Sequence, residues 1–91
     1  ARRYLRSLGN QLRPTVFLGK EGISAALLRS IDEAHAHREL IKIKIERGCP
    51  LDRKEAGDHL AAATKSHLVQ VLGNTVLLYR PDPDDPKIAL P

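Results

Sequence analysis

The sequence predicts an α/β domain with the element order α-β-α-β-α-β-β, a mixed four-stranded sheet packed with helices. Three observations carry this reading. Residues 40–47, Leu-Ile-Lys-Ile-Lys-Ile-Glu-Arg, alternate apolar and charged side chains with period two, the mark of a strand with one buried face. Segments 24–37 and 52–64 instead space their apolar residues three or four apart, as helices do. Two further β-rich runs, 67–72 and 75–79, are joined only by Gly73-Asn74, a compact hairpin link.

Each element has its own warrant. In residues 2–12, Leu5, Leu8 and Leu12 share a helical face, with Arg2, Arg3 and Arg6 elsewhere on the wheel. Gly9 and Asn10 weaken the last turn and Pro14 ends it. Thr15 to Leu18 reads as a short buried strand, with Phe17 in the core. Ser24 is the expected N-cap of the second helix, with Ile23 and Leu28 as a hydrophobic staple and Leu27, Ile31 and Ala34 as the buried stripe. Gly48-Cys49-Pro50 make a turn, and Asp52 caps a third helix with Glu55 at the third helical position. Ala56, Leu60 and Ala63 form its stripe, small enough for close packing on the sheet. Tyr79 is read as core, with base stacking as the alternative.

The two β-α-β crossovers should be right-handed and set neighbouring parallel strands, with the hairpin adding an antiparallel part. The second and third helices then cover one sheet face, and the first buries its leucines on the rest. Residues 1–80 are one domain. From Pro81 the run Pro-Asp-Pro-Asp-Asp-Pro opens an extended acidic tail, 81–91.

Ninety-one residues allow one modest core, with roughly 60–65% of the extended surface buried. No apolar run approaches the ~18 residues of a membrane span, and the Arg-rich start, which begins at Ala1, lacks a signal-peptide core. One cysteine, Cys49, cannot form an internal disulfide and fits a reducing, cytoplasmic compartment. The net charge is +4, unevenly spread. Residues 1–47 carry ten Lys/Arg against five Asp/Glu, and residues 81–91 carry one against three. A polyanionic partner, nucleic acid before membrane, follows from that asymmetry; plain solubility is the alternative.

Catalysis finds little support. His35 and His37 diverge on a helix and read as a solvated helix end, so metal ligation is not expected. The acids offer no general-acid pair, and Ser24 and Ser66 lack a nucleophile elbow. No cofactor, metal or small-molecule substrate is expected. The chemistry concentrates in Gly19-Lys20-Glu21-Gly22, between a strand and a helix start. Two glycines three apart permit a tight turn and close approach, and the helix N-terminus favours an anion. The loop is neither a Walker loop, since Glu21 follows Gly-Lys, nor a dinucleotide fingerprint, which needs a third glycine. Lys42 and Lys44, two apart on one strand, can reach successive phosphates; a lysine-protected edge strand is the alternative. With three aromatic residues in the chain, a stacking platform is not expected.

The blocks Tyr4-Leu5-Arg6, Leu18 to Ile23, Glu39 to Lys44 and Val69 to Arg80, in this order, resemble the CRM domain, an RNA-binding module of the YhbY type. Such modules occur alone in bacteria and in arrays in plant organelle splicing factors. The likeness extends to Lys87-Ile88-Ala89-Leu90-Pro91, similar to the end of the free-standing form. The few further basic residues that usually precede the position of Tyr4 in that family are missing here. The resemblance implies a fold similar to the C-terminal domain of translation initiation factor three. It also implies RNA binding through the Gly-x-x-Gly loop and, for the stand-alone form, association with large-ribosomal-subunit precursors. On this chain the RNA-binding residues would be Gly19, Lys20, Glu21 and Gly22, with charge from Arg2, Arg3, Arg6, Arg13, Lys42 and Lys44. Glu21 and the acidic tail would narrow that surface. The expected function is a non-catalytic, monomeric RNA-binding protein with ribosomal RNA as partner. The competing function is a protein-interaction module docking on ribosomal proteins through the leucines of the first helix or the sheet.

Overall fold

The computed structural model describes residues 2–88. The elements are α1 (Arg2–Gly9), β1 (Val16–Leu18), α2 (Ala25–His37), β2 (Leu40–Ile45), α3 (Arg53–Thr64), β3 (His67–Leu72) and β4 (Thr75–Tyr79), in the expected order. Local chemistry sets their ends. The Ser24 hydroxyl accepts from the Leu27 N–H at 3.1 Å, and an Asp52 carboxylate oxygen accepts from the Lys54 N–H at 3.1 Å, each taking up a donor that the helix leaves unused. Ile23 and Leu28 both pack on the core, as a staple requires.

The sheet order is β1-β2-β4-β3. β1 runs parallel to β2, with Val16 opposite Ile43 and Leu18 opposite Ile45, and β4 is antiparallel to both β2 and β3. The crossover through α3 therefore does not make neighbours of β2 and β3, contrary to the sequence expectation: β4 lies between them. The reason is burial. Val76, Leu77, Leu78 and Tyr79 are all buried, so β4 is apolar on both faces and belongs inside the sheet, whereas β3 is only partly covered and suits an edge. For the same reason β2 is interior and not a lysine-protected edge. A bulge in β3 between Leu68 and Gln70 breaks its alternation. It turns Leu68 and Val71 to one cluster and Val69 to the other.

Those two clusters divide the molecule. Leu18, Ile31, Ile43, Leu60 and Leu78 are fully buried between the sheet and helices α2 and α3. On the opposite face Leu5, Leu40, Val69, Leu77 and Tyr79 form a second cluster under α1. Tyr79 is thus core. On α3 the stripe is Ala56, Leu60, Ala61 and Thr64; Ala63 is exposed, because the packing face rotates toward Gly57, whose missing side chain admits Leu68 and Val71. His35 is also corrected, being buried rather than solvated. Its Nδ1 lies 3.2 Å from the Arg38 carbonyl oxygen and its Nε2 3.1 Å from the Ser66 hydroxyl. A carbonyl only accepts, so Nδ1 carries the hydrogen and Nε2 accepts from Ser66.

Gly9 has a packing role as well as a weakening one. A Cβ there would press into the buried side chain of Leu77, with Cδ1 2.9 Å away. Gly9→Ala is expected to lift α1 off the sheet and to lower stability by about 1–2 kcal/mol, overpacking outweighing the gain in helix propensity. A denaturant midpoint at or above the parent's would contradict this.

The tail is not free. Glu39, buried just before β2, accepts from the backbone N–H groups of Asp82, Lys87 and Ile88 at 2.6, 2.7 and 2.6 Å. Ile88 packs on the α1 cluster. Residues 89–91, part of the family-like ending, lie outside the described residues.

Candidate functional site

The end of the sheet where β1 and β2 finish gathers three turns. Loop 19–22 follows β1, turn 46–50 follows β2, and Gly73-Asn74 joins β3 to β4; the Asn74 carbonyl accepts from the Ile45 N–H at 2.7 Å. The first two turns lean together, since Gly22 faces Pro50 and Gly48 faces Lys20.

The two loop glycines do different things. Gly22 has φ +70°, where an L side chain is strained, and its N–H donates to the Gly19 carbonyl at 3.0 Å to close the turn. Gly19 lies outside the left-handed region. The nearest atom to a Cβ built on it is a Glu46 carboxylate oxygen at 3.4 Å. The backbone thus requires glycine at 22 but not at 19, where the absent side chain lets the Glu46 carboxylate lie close. Beyond the loop, Ser24 occupies the Leu27 N–H, which leaves the first-turn N–H groups of the exposed Ala25 and Ala26 without helical partners. Phe17, Gly19, Lys20, Gly22, Ser24 and Ala26 line one shallow groove along the free edge of β1.

Phe17 corrects the sequence reading most. It is 53% exposed, because Val16 and Leu18 on either side face the core and strand alternation sends the residue between them outward. Its register partner is Lys44, so the ring and the ammonium chain share a sheet face beside the loop. Lys42 lies two residues further along that face and is half-buried; Lys44 and Lys20 are exposed.

The remaining candidates are not gathered there. Arg2 and Arg3 are exposed and Arg6 half-buried on α1, which covers the same sheet face as Phe17, Lys42 and Lys44 but packs over β2, β3 and β4, outside the loop groove. Arg13 lines a depression with Thr15, Arg38 and Leu40 at the opposite end of β1. The acidic tail is likewise held at the Glu39 end of β2, a six-residue strand of about 20 Å away from the loop, so it does not narrow the loop surface. Glu21, exposed in the loop, and Glu46 beside Gly19 do. Glu46 was missed in the sequence because strand register alone brings it to the loop: its N–H donates to the Leu18 carbonyl at 2.8 Å. Among the described residues no group of three or more His, Cys, Asp or Glu side chains could hold a metal, and no helix is long and apolar enough to cross a membrane.

Comparison with known proteins matches residues 1–80 to the model of the CRS1 / YhbY (CRM) domain. A Bacillus subtilis protein named "Probable RNA-binding protein YqeI" is 36% identical over 90 residues, covering 99% of this chain and 94% of that one. A Haemophilus influenzae "RNA-binding protein" is 33% identical over 90 residues, covering 99% and 90%. The solution structure of the hypothetical protein SAV1595 from Staphylococcus aureus superposes with a TM-score of 0.84 at 39% identity, covering 99% of this chain and 94% of that one.

Proposed function

This chain belongs to the CRS1 / YhbY (CRM) domain family, and from that premise we propose that it is a non-catalytic RNA-binding protein whose site is the loop end of the sheet. The observation that carries the proposal is the loop itself. Lys20 stands exposed in the loop beside the free first-turn N–H groups of α2, and Lys42 and Lys44 supply charge on the neighbouring strand. Relatives that match nearly the whole chain are named for RNA binding. Ribosomal RNA in large-subunit precursors, bound by a cytoplasmic monomer during assembly, is the biological setting we propose. It rests on the resemblance to the stand-alone bacterial form. The reading of α1 as a docking helix loses its surface, since Leu5 is buried and Leu8 and Leu12 pack on the second cluster.

Salt dependence tests RNA binding directly. Three phosphates neutralised by the three lysines give a slope of log K against log[salt] of about −2 on single-stranded RNA, and the α1 arginines would steepen it. A slope near zero would overturn the proposal. Sequencing RNA crosslinked to the protein in cells tests the ribosomal setting, which fails if ribosomal RNA is not enriched.

A further inference from the structure

Building on the RNA-binding reading above, we propose that Phe17 is a stacking site for an unpaired nucleobase, so that the groove takes single-stranded rather than fully paired RNA. Of the three aromatic residues, Tyr79 is buried and Tyr4 sits on α1 outside the groove, whereas Phe17 alone lines the loop groove. Its outward direction is imposed by register, since turning it inward would expel Val16 and Leu18, both buried. The position does not demand an apolar side chain for packing, yet it carries a large one in the open. An exposed ring flanked by Lys44 and Lys20 combines a flat apolar face with charge, the pair of features that single-stranded nucleic acid engages.

The local charges sort the ligand's parts. Glu46 sets a carboxylate beside Gly19, which disfavours a phosphate at that spot. Phosphates therefore belong on Lys20, Lys44 and the free N–H groups of α2, and the neutral base belongs over Phe17. A paired duplex cannot supply that contact, because its bases are stacked on one another inside the helix. A strand with accessible bases can.

The test uses the whole chain with two probes, an unstructured 12-nucleotide RNA and a fully paired RNA duplex of equal length. Phe17→Ala is expected to weaken binding of the single strand by roughly tenfold or more, to leave duplex binding unchanged, and to leave the salt slope at the parent value, because no phosphate contact is removed. Phe17→Trp is expected to retain affinity. It also introduces the chain's first tryptophan, whose fluorescence should be quenched when the single strand binds. If the parent binds RNA with a normal salt slope but Phe17→Ala matches it and the tryptophan is not quenched, stacking is overturned, RNA binding stands, and the exposed ring points to a protein partner. If Phe17→Ala weakens both probes equally, discrimination for unpaired strands is overturned. If the parent binds neither probe, the RNA-binding reading fails and the stacking proposal falls with it.

Discussion

Glu39→Gln is expected to release residues 82–88 from the sheet and to lower stability by about 2–4 kcal/mol, the scale of charge-assisted bonds lost at a buried carboxylate. Both carboxylate oxygens are committed, Oε2 to the Asp82 N–H and Oε1 to those of Lys87 and Ile88. A glutamine must turn an NH2 toward one of these donors, so the change cannot be absorbed by rotation. Burial pushes the Glu39 carboxyl up, but the three backbone N–H groups outweigh it and hold the carboxyl below its ordinary value. Glu39 therefore stabilises the fold fully above its unfolded value of 4.5 and loses that contribution as pH falls through the lower folded value. His35 acts earlier in the same descent. Burial pushes it below 6.5, so its neutral form is favoured in the fold and stability is lost as pH drops from 6.5 toward the folded value. Acidification should thus weaken the parent in two stages, and Glu39→Gln should remove the lower one. Denaturant midpoints between pH 3 and 7, with hydrogen exchange at residues 82, 87 and 88, measure both effects. A midpoint equal to the parent's at pH 7 would refute the latch.

The other large effect concerns binding. Reversing Lys20 and Lys44 together, Lys20→Glu with Lys44→Glu, should weaken RNA affinity by at least about 25-fold at 0.1 M salt, since each lost phosphate contact removes about 0.7 from the salt slope. Thermal stability should hold, because both side chains are exposed. Reversal of Arg13 and Arg38, at the far end of β1, is the matched control and should cost much less. Equal losses from the two pairs would mean that net charge, and not the loop end, governs binding.

Much of the architecture was legible because it is written in local pattern. The Ile41-Ile43-Ile45 alternation, the Ser24 cap with its staple, and the Gly73-Asn74 link each act over fewer than ten residues, and each element stands where its pattern placed it. What escaped were properties set by distant partners. The position of β4 depends on covering Val76 to Tyr79 from both sides, which a reading from crossover to crossover does not weigh. Phe17 looked like core because a three-residue strand is too short for its alternation to show. Glu39 and His35 read as ordinary polar residues, since their partners lie 43 to 49 and 31 positions away. Of the site, the loop glycines and strand lysines were legible from spacing. The grouping was not: counting charge along the chain joined Arg13 to the loop, and parallel pairing separates them.

The placement of β4 also bears on how the molecule is made. During synthesis β1, α2 and β2 emerge first, yet β2 lacks the neighbour that covers its second edge until Thr75–Tyr79 has been added. Two of the three strand pairings involve β4, so the sheet closes through contacts distant in sequence, a topology that folds late and slowly relative to helical chains of this size. The nascent chain thus holds Ile41, Ile43 and Ile45 on an incomplete sheet until its last strand is clear. Completion of the sheet therefore waits for the β3–β4 hairpin, whichever strand forms first.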